Sequence, residues 1–193
     1  MGLFDKFRKK PESSTEAESA NAEIKYTQQL LEIAMAVSYG NEDVIREISN
    51  CISYTKHYFN ANREQYEERS IKESDNLDEI KWIGLGNILI KNNYVCERDW
   101  KDDKDNFIYF VQNLAGIKTN NIYINPDWLS ENDSIAEWCP VLDDEWKSQG
   151  MCMAAFDIGS DSYVLFPYRT ADLKQIKEYA TQIGQRIDYG KDM

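Results

Sequence analysis

Apolar residues recur at helix spacing from Glu23 onward. Leu30, Leu31, Ala34, Met35 and Val37 form the run, and Gly40 closes it. Asn41 then stands where an N-cap belongs, with Glu42 and Asp43 in the turn where the helix dipole favours acids. Val44, Ile45, Ile48, Ile52 and Phe59 carry the next stripe. The polar stretch NREQYEERSIKESDN, residues 62–76, is a solvent-facing helical extension or a loop. Residues 76–93, NLDEIKWIGLGNILIKNN, predict a third helix. Asn76 is its cap, Asp78 and Glu79 lie in its first turn, Lys91 is near its end, and Asn92 and Asn93 suit a left-handed stop. Gly84 and Gly86 lie inside it. A dinucleotide fingerprint would need them after a strand, with a third glycine where Leu89 stands, so close helix packing is the better explanation.

The second half changes period. YVCERDW reads as a strand, DNFIYFVQNLAG as a short helix with Gly116 at its stop, and NIYIN as an alternating strand closed by Pro126. SIAEWCPVLDDEWKSQG is helical, with Pro140 starting or kinking a segment. MCMAAFDI, GSDS and YVLFPY predict a β-hairpin. Its strands are apolar almost throughout, so both faces are expected to lie under helices. Thr170 and Asp172 open a closing helix that carries Leu173, Ile176, Tyr179, Ile183 and Ile187. The expected class is α+β: a helical N-terminal half and a small, mostly antiparallel sheet with a C-terminal hairpin and closing helix.

Ahead of these elements stands MGLFDKFRKK, with Leu3, Phe4 and Phe7 apolar and Lys6, Arg8, Lys9 and Lys10 basic. A secretion signal would place its charges first, and Lys6 breaks the myristoylation pattern despite Gly2. PESSTEAESANAE, residues 11–23, holds no large apolar residue and reads as a linker. The expected organisation is a flexible tail over residues 1–22 and a single domain over 23–193. The tip of the tail could touch a membrane or a partner groove.

The formal net charge is −12, from 34 acids against 22 bases. That opposes nucleic-acid binding, which needs basic patches, and suits a basic protein partner. The 4 cysteines, at 51, 96, 139 and 152, form no CxxC and point to reduced thiols in a cytoplasmic protein. No apolar run approaches the length of a membrane span.

CERDWKDDKDNF, residues 96–107, concentrates acids more than any other stretch that resembles chemistry. An EF-hand loop would need a glycine at the turn and a closing glutamate, and both are missing. Capping by Asp102 or Asp103, with Asp105 in the first turn, accounts for most of the acids. The alternative is divalent-metal or partner binding through Asp99, Asp102 and Asp103. His57 is the single histidine; it falls on the helix face opposite Cys51, and a multi-histidine metal site is excluded within one chain. LDDEW, residues 142–146, is a second acid cluster, either a solvated face or a carboxylate pair. Of the 5 tryptophans, three are expected in the core and one or two exposed near Asp127 and Trp128. The candidate binding residues are therefore Asp99, Trp100, Asp102, Asp103, Asp127 and Trp128, with no cofactor and no metal assigned.

WIGLGNILIKNNYVCERDWKDD, followed by the hairpin MCMAAFDIGSDSYVLFPY and its closing helix, resembles an uncharacterised bacterial domain-of-unknown-function family over residues 23–188. In style the chain is similar to acidic α+β immunity proteins that neutralise toxins. That resemblance implies no catalytic residue. The net charge, the single histidine and the lack of a metal spacing or phosphate loop point to a non-catalytic module that binds a basic protein, such as a toxin or nuclease. The competing expectation is a carboxylate-based hydrolase, with or without a divalent metal, built on Asp99, Asp102 and Asp103.

Overall fold

The computed structural model describes residues 14–193. Helix α1 (Ser14–Val37) begins well ahead of Glu23, so residues 14–22, expected as linker, are helical. Glutamate and alanine favour helix, and extending an existing helix needs no new nucleus. The apolar-basic stretch 1–10 lies outside the described residues. Gly40 ends this region at φ +74°, its N–H returning to the Met35 carbonyl at 2.9 Å. The Asn41 side chain accepts from the N–H groups of Asp43 and Val44, both at 3.1 Å, and starts α2 (Glu42–Ser53). Short helices α3 (Thr55–Ala61) and α4 (Arg63–Glu67) follow. The Asn76 side-chain oxygen accepts from the Asp78 N–H at 2.9 Å and caps α5 (Leu77–Lys91), and Asn93 makes the expected left-handed exit at φ +57°.

The chain then builds β1 (Cys96–Asp99), α6 (Lys104–Gln112), α7 (Ala115–Thr119), α8 (Ile135–Trp146), β2 (Met151–Phe156), β3 (Ser162–Arg169), α9 (Thr170–Gln182) and β4 (Ile187–Tyr189). The strands form one antiparallel sheet in the order β1-β3-β2-β4. The hairpin register runs from Met151 opposite Arg169 to Phe156 opposite Val164. Pro167 stands in β3 beyond the reach of β1, which pairs only from Leu165 to Ser162, so its missing N–H interrupts no ladder on that side.

Each central strand sends alternate residues to opposite faces. Cys152, Ala154 and Phe156 of β2, with Val164, Phe166 and Tyr168 of β3, enter a core shared with α1, α2, α5 and α9. Met151, Met153, Ala155 and Leu165 enter a second core under α6, α7 and α8. The sheet is covered on both faces, as the unbroken apolar runs of its hairpin require.

Three local expectations are corrected. NIYIN is not a strand, since no neighbour offers it a ladder. Ile122 and Ile124 are buried there, and the Tyr123 carbonyl accepts from the Trp146 indole at 2.9 Å. Gly116 does not stop α6 but lies in α7, where an added Cβ would stand 2.6 Å from Pro167 Cγ, so its bareness lets α7 meet β3. Ile187 is not helical. Gly184, at φ +73°, follows the end of α9, and Ile187 opens the edge strand β4.

Candidate functional site

The acids of residues 96–107 do separate work. The Asp99 carboxylate accepts from the Lys101 N–H at 2.8 Å and shapes the turn after β1. Asp102 turns inward and pairs with Arg98, the two side chains only 7% and 16% exposed. The Arg98 guanidinium also lies 3.9 Å from the centre of the Phe110 ring. Asp103 is the N-cap of α6 and accepts from the Asn106 N–H at 2.9 Å. Among the described residues, no group of three or more His, Cys, Asp or Glu is placed to hold one metal ion.

Trp100 is the member of this stretch that remains presented. It is 50% exposed, with the Lys101 ammonium 4.6 Å from its ring centre. It forms one wall of an open cleft of about 490 Å3 at the turn end of the hairpin. The other walls come from Asp157, Ser160 and Asp161 of the β2–β3 turn, Tyr163 of β3, Arg186 before β4, and Met193. Asp157 Oδ1 accepts from the Gly159 N–H at 2.8 Å, fixing the turn. Asp161 is exposed and has no hydrogen bond or ion pair among the described residues. Arg186 donates to the Asp192 carbonyl and lies 3.8 Å from the Asp188 carboxylate. Burial works against ionised Asp188, but hydrogen bonds from Lys177 and the Tyr189 N–H outweigh it and hold that carboxyl below the usual range.

Asp127 and Trp128 do not line this cleft. Asp127 is exposed in the short turn Pro126–Trp128, whose Asn125 side chain accepts the Asp127 N–H at 3.1 Å. Trp128 is half-buried against Tyr123, ring centres 5.1 Å apart. Trp82, Trp138 and Trp146 are core, and Trp100 is the exposed tryptophan, not one beside Asp127. Sequence reasoning missed Asp157, Asp161, Tyr163 and Arg186. Asp161 lay in GSDS, which reads as turn chemistry alone, Asp157 and Tyr163 lay in the two expected strands of the hairpin, and Arg186 lay in an expected helix.

A family model described as Domain of unknown function (DUF6630) matches residues 29–190. The chain belongs to the DUF6630 family. No curated protein and no solved structure matches it. In this DUF6630 domain the second acid cluster contributes to the fold. Asp143, from the LDDEW cluster, accepts the Met153 N–H at 2.7 Å and pairs with Lys191 at 3.0 Å, tying α8 to β2. That hydrogen bond to Asp143 pushes the Lys191 ammonium up. His57 is exposed, whereas Cys51 is buried with the Tyr66 hydroxyl at 3.9 Å. Burial pushes the Cys51 thiol to about 11 and those of Cys96 and Cys152 to about 12, and raises Cys139 further. Thiols held protonated in this way are poor nucleophiles. No helix among the described residues is long and apolar enough to cross a membrane.

Proposed function

We propose that this DUF6630 member is a non-catalytic, cytoplasmic bacterial protein that acts by binding a basic protein, in the manner of an immunity protein. The cleft beside Trp100 is its recognition site. The observation that carries this reading is the division of labour among the acids. Asp99, Asp102 and Asp103 are engaged in the turn, the buried ion pair and the helix cap. Asp161 stands free at the cleft mouth next to an exposed indole. An indole face and a free carboxylate around one concavity suit a lysine or arginine side chain reaching in. The net charge of −12 would speed the approach of a basic partner. The four buried thiols are compatible with a reducing compartment.

The test is capture from native lysate at low and high salt, followed by association kinetics with the protein recovered. Trp100→Ala is expected to raise the dissociation rate, and Asp161→Lys to slow association most strongly at low salt. Association indifferent to both substitutions and to ionic strength would overturn the assignment.

A further inference from the structure

Helix α1 is apolar on two sides. Tyr26, Leu30, Ile33, Ala34 and Val37 face the core. A second stripe, Ala20, Ile24, Thr27, Leu31 and Met35, runs at the same spacing along a groove completed by Ile45 of α2. The groove holds about 680 Å3. Ile24 is 65% exposed within it and Met35 38%, and Glu23 and Glu32 stand on its rim.

We infer that this groove is the docking site of the chain's own residues 1–10. Three observations choose that occupant. The first is composition. MGLFDKFRKK offers Leu3, Phe4 and Phe7 as apolar side chains of the size the groove can take. The second is charge. The segment carries four bases against one acid, whereas α1 carries four glutamates against one lysine. A second copy docking through the same face would oppose two acidic helices, so the like-charge term disfavours a dimer where it favours the segment. The third is reach. Pro11, Glu12 and Ser13 separate the segment from Ser14 at the start of α1, a connection of the length that joins antiparallel neighbours. Ten residues span about 15 Å as helix and about 33 Å when extended. Ile24 stands about 15 Å and Leu31 about 26 Å along α1 from Ser14. The tether also keeps the segment at an effective concentration that a free partner rarely matches.

The four native cysteines are buried, so a maleimide reads a single introduced thiol. The experiment measures labelling of Gln28→Cys, which keeps every apolar residue of the groove, and repeats it with Ile24→Cys. Each is placed in the full chain, in a chain lacking residues 1–10, and in a full chain with Leu3, Phe4 and Phe7 all changed to Ser. Lys174→Cys, on α9, is the control. Docking predicts labelling about tenfold slower in the full chain than in the other two, as for a groove filled about nine-tenths of the time, with no change at Lys174→Cys. High salt should narrow the difference. Equal rates in all three chains overturn the inference. Slow labelling in all three that deepens with protein concentration overturns it in favour of a second copy. Equal rates in solution with protection appearing only on vesicles of anionic lipid overturn it in favour of a membrane surface.

Discussion

Gly84 and Gly86 lie two residues apart on α5, and the structure gives them opposite consequences. A Cβ built on Gly84 would stand 2.6 Å from both Cys51 Sγ and the Tyr66 hydroxyl. Both neighbours are buried, and Tyr66 is held against Phe59 with ring centres 4.8 Å apart. Neither can retreat the best part of an ångström without disturbing α2 or the aromatic pair. Overpacking of this kind costs about 1–3 kcal/mol. A Cβ on Gly86 meets nothing within 4 Å. Both substitutions gain the helix propensity of alanine over glycine, about 1 kcal/mol. That gain cancels in the comparison, so Gly84→Ala should be less stable than Gly86→Ala by about 1–3 kcal/mol. Against the parent, Gly86→Ala should stabilise, while Gly84→Ala should be neutral to destabilising. The assay is urea unfolding followed by tryptophan fluorescence, reading the midpoint at an unchanged m-value. Removing the sulfur should relieve part of the strain, so Cys51→Ala with Gly84→Ala should show favourable coupling of about 1 kcal/mol. If Gly84→Ala matches Gly86→Ala, the close approach of α2 and α5 at Gly84 is wrong.

Three further outcomes follow from the buried groups. Asp102→Ala strands the Arg98 guanidinium against Phe110 and should cost about 2–4 kcal/mol in a urea midpoint series; a loss within error would mean the pair is unimportant. Millimolar calcium, magnesium or manganese should leave the melting temperature unchanged, since Asp99, Asp102 and Asp103 are already engaged; a metal-dependent rise would revive the carboxylate-enzyme alternative. Stability should fall on the alkaline side. The folded thiols of Cys51, Cys96 and Cys152 keep their protons to about 11, 12 and 12, against 9.0 when unfolded, so their contribution is complete below 9.0 and lost as pH rises through that window. Each can contribute up to about 1.4 kcal/mol per pH unit, and the urea midpoint should drop steeply above about pH 9; a flat profile to about pH 10.5 would contradict the burial.

The elements with their own local chemistry were legible in the sequence. Asn41 and Asn76 cap where their side-chain oxygens can reach the next N–H groups, and the alternation that fails in β2 and β3 correctly signalled a sheet covered on both faces. What escaped depends on partners distant in sequence. NIYIN alternates like a strand, but alternation describes burial on one side and supplies no neighbour to bond with. Ile183 and Ile187 keep helix spacing across Gly184, and only the free edge of β2 decides that Ile187 belongs to a strand. The Trp100 cleft was half legible. The indole was singled out from its own turn, but Asp161 and Arg186 reach it through the hairpin and β4, and no spacing along the chain encodes that meeting.

The double covering of β2 also bears on how the protein is made. MCMAAF has no charge and no proline, and its two partners, β3 and β4, both lie after it in the chain. During synthesis β2 therefore leaves the ribosome before anything can pair with either of its edges. The helices that will cover its faces are already out except α9, but a strand with two open edges and two apolar faces is what captures a neighbouring nascent chain. The short Asp/Ser turn from Asp157 to Asp161 limits that exposure, since it delivers β3 within a few residues. Lengthening this turn should therefore reduce soluble yield more than it reduces the stability of the molecules that do fold.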